Sequence, residues 1–313
     1  MPTAPPSTPP WLVSLPVLGV GASLSLGTTP DAATLVRTPG GPSFIEYAGR
    51  VSVQSVLPEV NRIRAAGAPV LFHPSYINFC GTFPNSAAWL DETARHATAV
   101  GSAWFAQDVA YCFWGEHAGY STQLGYFVPP LWNAASLAAA ITRVREVKAR
   151  VQLPVAIEPP PLTFVAGRIP VLTFLSTVAD EADCALLLDA GHIASYARAA
   201  GRTVIHELDA LAHHRVLELH VAGGRLAMRG GKTFYVDAHD EPILDETWDM
   251  LDALLPRLPE LRAVCVECEG TAASSVLSTL GRVRARVRAL SSHPALVERV
   301  RSEDATGGAH GPR

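Results

Sequence analysis

Seven times along the chain, a short apolar run stops on a side chain able to bind a metal ion. The runs are SFIEY at Glu46, PVLFH at His73, WFAQD at Asp108, VAIE at Glu158, ALLLD at Asp189, VLELH at His220 and AVCVE at Glu267. Strands often end on a polar residue, so a single stop carries little. Repetition in register carries more, because it puts donor groups at one level of a shared architecture. Each run is rich in Val, Leu, Ile or aromatics and lacks clean alternation, as strands buried on both faces do. Between them lie stretches with helical periodicity, at about 51–66, 86–100, 132–150, 168–181, 202–214, 244–256 and 273–291. The opening run VLGVGASL (17–24) completes eight strands, each followed by helix or loop. Such alternation predicts a parallel sheet, and eight units in 313 residues suit a single (β/α)8 TIM barrel of the α/β class. The active site of that fold lies at the C-terminal ends of the strands, where these donor residues sit.

Bulk properties agree with one catalytic barrel over 16–292. No Gly/Ser linker or charge run divides the chain, and its length can bury a large core. The Pro-rich segment 1–15 and the tail 293–313 are expected to be disordered. A net charge of −4 provides no broad basic surface, so no nucleic-acid partner is expected. No apolar stretch reaches transmembrane length and no secretory signal opens the chain, so a cytoplasmic protein without a membrane partner is expected. Five scattered cysteines do not make a disulfide framework. Cys265 and Cys268 form a lone CxxC around Glu267, and they read as small buried residues rather than a redox pair.

Four local clusters carry chemistry. LLLDAGH places Asp189 and His192 three residues apart where a strand ends, so both can approach one ion; a helix-capping Asp beside an exposed His is the plainer alternative. YVDAHDEP holds Asp237 and His239 two apart, on the same side of an extended segment. VLELH ends on His220, with Glu218 deeper on the same face as a supporting group. HPSYINF closes a strand with His73 and follows it with Asn78. Gathered at one mouth without cations, so many carboxylates would be costly to ionise. Divalent metals remove that cost, and mixed carboxylate–imidazole shells suit iron, manganese or zinc. No G-x-S-x-G elbow and no phosphate-binding G-x-x-x-x-G-K motif is present. His213 and His214 read as a surface helix end; Trp104, Tyr111, Phe113 and Trp114 read as core and pocket wall around Asp108.

At these residues the chain resembles a known family. GVGASL, FIEY, IEPPP, LLLDAGHIASYARAAG, LELHVAGG, VDAHDEPILDETWDMLD and VCVE, in that order over about residues 16–290, are similar to the multinuclear non-haem iron-dependent oxidative enzymes (MNIO, domain-of-unknown-function family 692). That family is similar in fold to xylose isomerase-like TIM barrels. The resemblance implies about two or three Fe ions and O2 as co-substrate, a precursor peptide as substrate with its cysteine as the target, and a separate peptide-recognition protein as partner. It implies metal positions at His73, Asp108, Glu158, Asp189, His192, His220, Asp237, His239 and Glu267. Glu158, Asp189 and His220 are assigned the catalytic weight, with Glu158 able to bridge two ions. Glu46 is left as a supporting or structural residue.

The chain also departs from the family pattern. Asp108 in AQDVAY stands in place of a His, and Asp189…His192 replaces Asp-x-x-Asn. The loop after His73 reads PSYINF rather than Gly-rich, and Pro159 rather than Asn follows Glu158. These changes keep donor atoms at every position but move one centre toward oxygen and another toward nitrogen, leaving room for zinc or manganese. They also bring in endonuclease IV, which has Asp-x-x-His and Asp-x-His pairs in the same barrel; net acidity and the lack of basic DNA-binding loops weigh against it. A sugar isomerase-like enzyme and a non-catalytic barrel that keeps metal only for stability complete the alternatives.

Overall fold

The computed structural model describes residues 7–49, 52–81, 83–117 and 120–307. The strands among them, in chain order, are β1 (Gly19–Ser23), β2 (Ile45–Ala48), β3 (Val70–His73), β4 (Phe105–Asp108), β5 (Tyr111–His117) and β6 (Tyr120–Val128). The second half of the chain adds β7 (Val155–Glu158), β8 (Ala185–Asp189), β9 (Val216–Ala222), β10 (Gly224–Arg229), β11 (Lys232–Asp237) and β12 (Ala263–Glu267). Eight of them close into a parallel barrel in the order β1-β12-β9-β8-β7-β4-β3-β2. The remaining four form two antiparallel hairpins outside the ring, β5 with β6 and β10 with β11. The (β/α)8 TIM barrel is therefore the fold, with every expected barrel strand in place.

The short strands carry two cores because alternate residues face opposite ways. Outward side chains pack against the surrounding helices in one large cluster that includes Val20, Phe72 and Leu188. Inward ones make a separate core with Phe44, Leu71, Trp104, Leu187 and Leu217. Gly21 on β1 belongs to that inner packing: a Cβ there would lie 2.4 Å from the Phe44 ring.

The structure corrects four expectations. Residues from 10 onward in the N-terminal segment are ordered. Pro10–Val13 form a helical turn whose Leu12 is fully buried in the inner core, stopping the base of the barrel. The C-terminal tail folds as the helix Pro294–Gly307, because Leu296 and Val300 recur at helical spacing and bury against the outer core. His293 fixes its start by accepting a hydrogen bond from the Leu296 amide through Nδ1, 3.0 Å. The expected disorder of 1–6 and 308–313 falls outside the described residues.

The third correction concerns the predicted helix at 202–214. The helix there runs over Ala190–Ala200 and stops at Gly201, whose φ of 65° is left-handed. Beyond it the chain makes a pair of 3₁₀ turns, Ile205–Ala210 and His213–Arg215. Finally, the two hairpins are additions to the expected strand–helix alternation. In the second, Gly230 and Gly231 have φ of 57° and 73°, as the two central residues of a type I′ turn require.

Candidate metal centre at the barrel mouth

β3, β4, β7, β8 and β12 end on His73, Asp108, Glu158, Asp189 and Glu267. β9 runs two residues past His220, so that imidazole projects from within the strand instead of ending it. Register then sets the level: Asp108 pairs with Glu158, and Asp189 with His220. β2 likewise continues to Ala48, which puts Glu46 inside the barrel beside Ser23 of β1. Glu46 is 2 % exposed and its Oε1 lies 3.1 Å from His220 Nε2. It joins the cluster, a place the period-2 alternation of FIEY could have indicated.

All nine expected positions converge. His73 Nε2 is 3.6 Å from Asp108 Oδ2 and 3.7 Å from Glu158 Oε2. His220 Nδ1 is 3.4 Å from Glu267 Oε1 and 3.9 Å from Glu158 Oε1. Asp237 Oδ2 lies between His192 Nε2 at 3.4 Å and His239 Nε2 at 3.3 Å. Donor atoms lie within 4.8 Å of one another in the sets His73–Glu158–His220, Asp108–Glu158–His192 and Asp189–His220–Glu267. Any of these could hold an ion. One oxygen of Asp189 caps the helix it precedes, accepting from the His192 amide at 2.6 Å, and the other has no hydrogen-bond partner and is left free for an ion.

One supporting residue was missed. Glu269, two residues past Glu267, accepts from His239 Nδ1 at 2.6 Å and turns Nε2 toward Asp237 and Glu267. Other residues singled out from the sequence lie outside the cluster. Asn78 is buried and clamps its loop to β5, accepting from the Cys112 amide and donating to the Phe113 carbonyl. Trp104 is inner core and donates to Glu218 at 2.7 Å. The Trp114 side chain falls outside the described residues. All five cysteines are buried and free, and the pair around Glu267 is no exception.

The electrostatics match the crowding. Burial, reinforced by the Asp108 charge, pushes Glu158 up to about 8, and burial pushes Asp189 up to about 6. Burial acts on Asp237 too, but hydrogen bonds from His192 and His239 outweigh it and hold that carboxyl at about 2. For His73, burial favours the neutral ring, yet Asp108, Glu158 and Glu46 together push it up to about 9.

A buried metal fits this donor set better than none. Asp108 Oδ1, Glu158 Oε1, Asp189 Oδ2, Asp237 Oδ1, Glu267 Oε2 and both nitrogens of His220 are buried without a hydrogen-bond partner. Interiors seldom leave such atoms unpaired, and here they converge on one place. The cluster opens into a cavity of about 280 Å3 walled by Leu24, Ser25, Ala48, Ser75 and Phe127. A larger cavity of about 670 Å3 lies at the opposite end, among Gly41, Ser43 and Ala68, away from these residues.

Fold and site together define a class: a parallel TIM barrel with a carboxylate–imidazole centre at its mouth. Among solved structures the chain is similar to a xylose isomerase-like TIM barrel/4-hydroxyphenylpyruvate dioxygenase fusion protein, with TM-score 0.57 and 13% identity over 87% of this chain and 43% of that one. It is also similar to endonuclease IV from Thermus thermophilus, with TM-score 0.52 and 17% identity over 87% and 99% of the two chains. At such identities the likeness concerns the fold alone.

Residues 40–288 match the family described as RiPP precursor modification enzyme MbnB/TglH/ChrH, and the chain belongs to that family. RiPPs are ribosomally made peptides that are modified after translation. Relatives include a UPF0276 protein of Caulobacter vibrioides, 30% identical over 149 residues, or 46% of this chain and 53% of that protein. A UPF0276 protein of Anaeromyxobacter is 28% identical over 63% of this chain and 65% of its own. The chain thus spans about half to two-thirds of the length of these relatives. Among the described residues no helix is long and apolar enough to cross a membrane.

Proposed function

We propose that this protein is a multinuclear non-haem iron, dioxygen-dependent oxidative enzyme that modifies a side chain, a cysteine, of a ribosomally made precursor peptide. The observation that carries the reading is the set of unpartnered buried oxygens and nitrogens at the mouth, in a member of a peptide-modifying family. Iron suits a shell of carboxylates and imidazoles. When bound, it supplies redox equivalents and Lewis acidity at the cavity floor.

The rest is done by the chain itself. Glu158 is approached by His73, His192 and His220 and belongs to two donor sets, so it would serve two ions if both were bound. Asp189, His220 and Glu267 would hold an ion on one flank, Asp108 and His73 would serve another, and His192, Asp237 and His239 a third. The Glu269 carboxylate fixes the His239 ring. Leu24 and Phe127 give the cavity an apolar wall that excludes water, and its volume admits one side chain with short flanking backbone. A separate recognition protein would bind the remainder of the precursor.

The test is metal analysis and oxygen uptake on anaerobically purified protein. About two or more irons per chain, with oxygen consumed only after a Cys-containing precursor is added, is the expected result. Stoichiometric zinc with nicking of abasic DNA would move the protein to the endonuclease IV reading. Interconversion of free sugars would move it to an isomerase, metal without turnover of any of these substrates to a structural barrel, and no metal at all would remove every one of these readings.

A further inference from the structure

The four imidazoles at the mouth each have two ring nitrogens, and the structure separates their duties. His192 Nδ1 lies 2.7 Å from the Pro159 carbonyl oxygen. It is also 3.2 Å from Glu158 Oε1, but a carbonyl only accepts, so the Nδ1 proton belongs to the shorter contact and Nε2 faces Asp237. His239 directs Nδ1 to Glu269 and Nε2 to Asp237 and Glu267. His73 turns Nδ1 toward Glu46 Oε1, 3.8 Å away, and Nε2 toward Asp108 and Glu158. His220 is reversed. Its Nε2 faces Glu46 Oε1 at 3.1 Å and Glu218 Oε1 at 3.8 Å, ion-pair distances without an aligned hydrogen bond, while Nδ1 faces Glu158 and Glu267.

Glu46 therefore sits behind two rings at once. It is 2 % exposed, and its only ion-pair contacts among the described residues are these two histidines. A buried carboxylate with no Lys or Arg against it is tolerable where two imidazoles flank it at ion-pair distance. A carboxylate on the far nitrogen fixes a ligand's tautomer and raises its basicity.

We infer that Glu46 is a positioning residue shared by His73 and His220, and that His220 meets a bound ion through Nδ1 while His73, His192 and His239 present Nε2. The inference rests on the proposed metal binding at the mouth and deepens it. Glu218 plays a lesser part, because Trp104 already engages its other oxygen. At 3.8 Å the hold on His73 is electrostatic and weaker than that on His220.

The deciding experiment uses zinc as a diamagnetic probe in the full-length protein labelled with 15N-histidine, and reads the proton-bearing nitrogen of each ring by long-range correlation. His220 should carry its proton on Nε2, with Nδ1 shifted by zinc, and the other three rings should show the reverse. Glu46→Gln should move the His220 Nε2 proton upfield and weaken zinc binding roughly ten- to a hundred-fold, and Glu46→Asp should recover part of the loss. A His220 proton on Nδ1 overturns the inference, as does an unchanged spectrum and affinity in Glu46→Gln. If Glu46→Gln does not fold, the wild-type tautomers alone decide. Zinc uptake with the wrong nitrogen sinks only this inference; a protein that takes up neither zinc nor iron sinks the functional reading with it.

Discussion

The two ends of the barrel are built from the same eight strands and obey opposite rules. At the base, Leu12, Phe44, Leu71 and Leu217 fill the interior, and a helical turn closes it. At the mouth, further along seven of those strands, the inward positions carry carboxylates and imidazoles, several of whose polar atoms go unpaired. The seam between them is narrow: Trp104 is base packing on one side and a donor to Glu218 on the other. The base supplies the stability that the mouth gives up. Close packing and polar frustration are segregated along the barrel axis rather than mixed, so each end can be perturbed with little effect on the other.

That separation can be broken most sharply at the mouth. His220→Ala or Asp189→Ala should lower bound metal and reduce activity by about a hundred-fold or more, since each removes a donor from a three-residue set. Metal analysis beside a turnover assay reads both quantities, and full metal content in either variant would misplace the centre. At the base, Leu12→Ala should cost about 2 to 5 kcal/mol in denaturant unfolding while metal content stays the same. Loss of metal at unchanged stability would show that the two ends are coupled.

A subtler effect is a pH dependence confined to the mouth. Glu158, raised to about 8, and His73, raised to about 9, both bind protons more tightly in the folded state. The stability each contributes is complete below its unfolded pKa and is lost as pH rises through the folded one. For His73 that window is about 6.5 to 9, and the loss from Glu158 overlaps its lower half. Asp237, held at about 2, acts in the opposite sense but only in acid. Metal-free protein should therefore melt at progressively lower temperature between about pH 6.5 and pH 9. Saturating metal should flatten that trend, because ions replace the protons; a flat metal-free profile would mean the mouth is not strained as described. The smallest effect belongs to His214→Ala, on a 3₁₀ turn away from the mouth with its side chain 14 % exposed near Asp180: no change in metal, and about 1 kcal/mol in stability. Equal damage from this variant and His220→Ala would erase the distinction between mouth and periphery.

Legibility in the sequence divides along the same line. Barrel strands were legible because burial on both faces leaves an apolar run that only a few polar residues can end. The site was legible because those endings recur. Glu46 and His220 were marked as stops, yet their strands continue to Ala48 and Ala222; inward alternation is what holds them in the site. The helix over Ala190–Ala200 was hidden because it begins at once after Asp189, with Gly191 and His192 in its first turn. Leu12 and Leu296 gave no local signal of their partners, which are brought to them only by the closed ring and its outer helices. Glu269 acts through His239 across 30 residues of chain, a pairing that proximity in three dimensions alone reveals.

The closing seam of the ring has a consequence in time. β1 pairs over five residues with β12, from Gly19↔Ala263 to Ser23↔Glu267. A chain emerging N-terminus first must hold its opening strand unpartnered on that side until the last strand is made. Glu267 arrives with that strand, after the other eight donor residues. Of the three donor sets at the mouth, Asp189–His220–Glu267 is therefore the one that waits for ring closure, and any ion it took would enter a finished barrel.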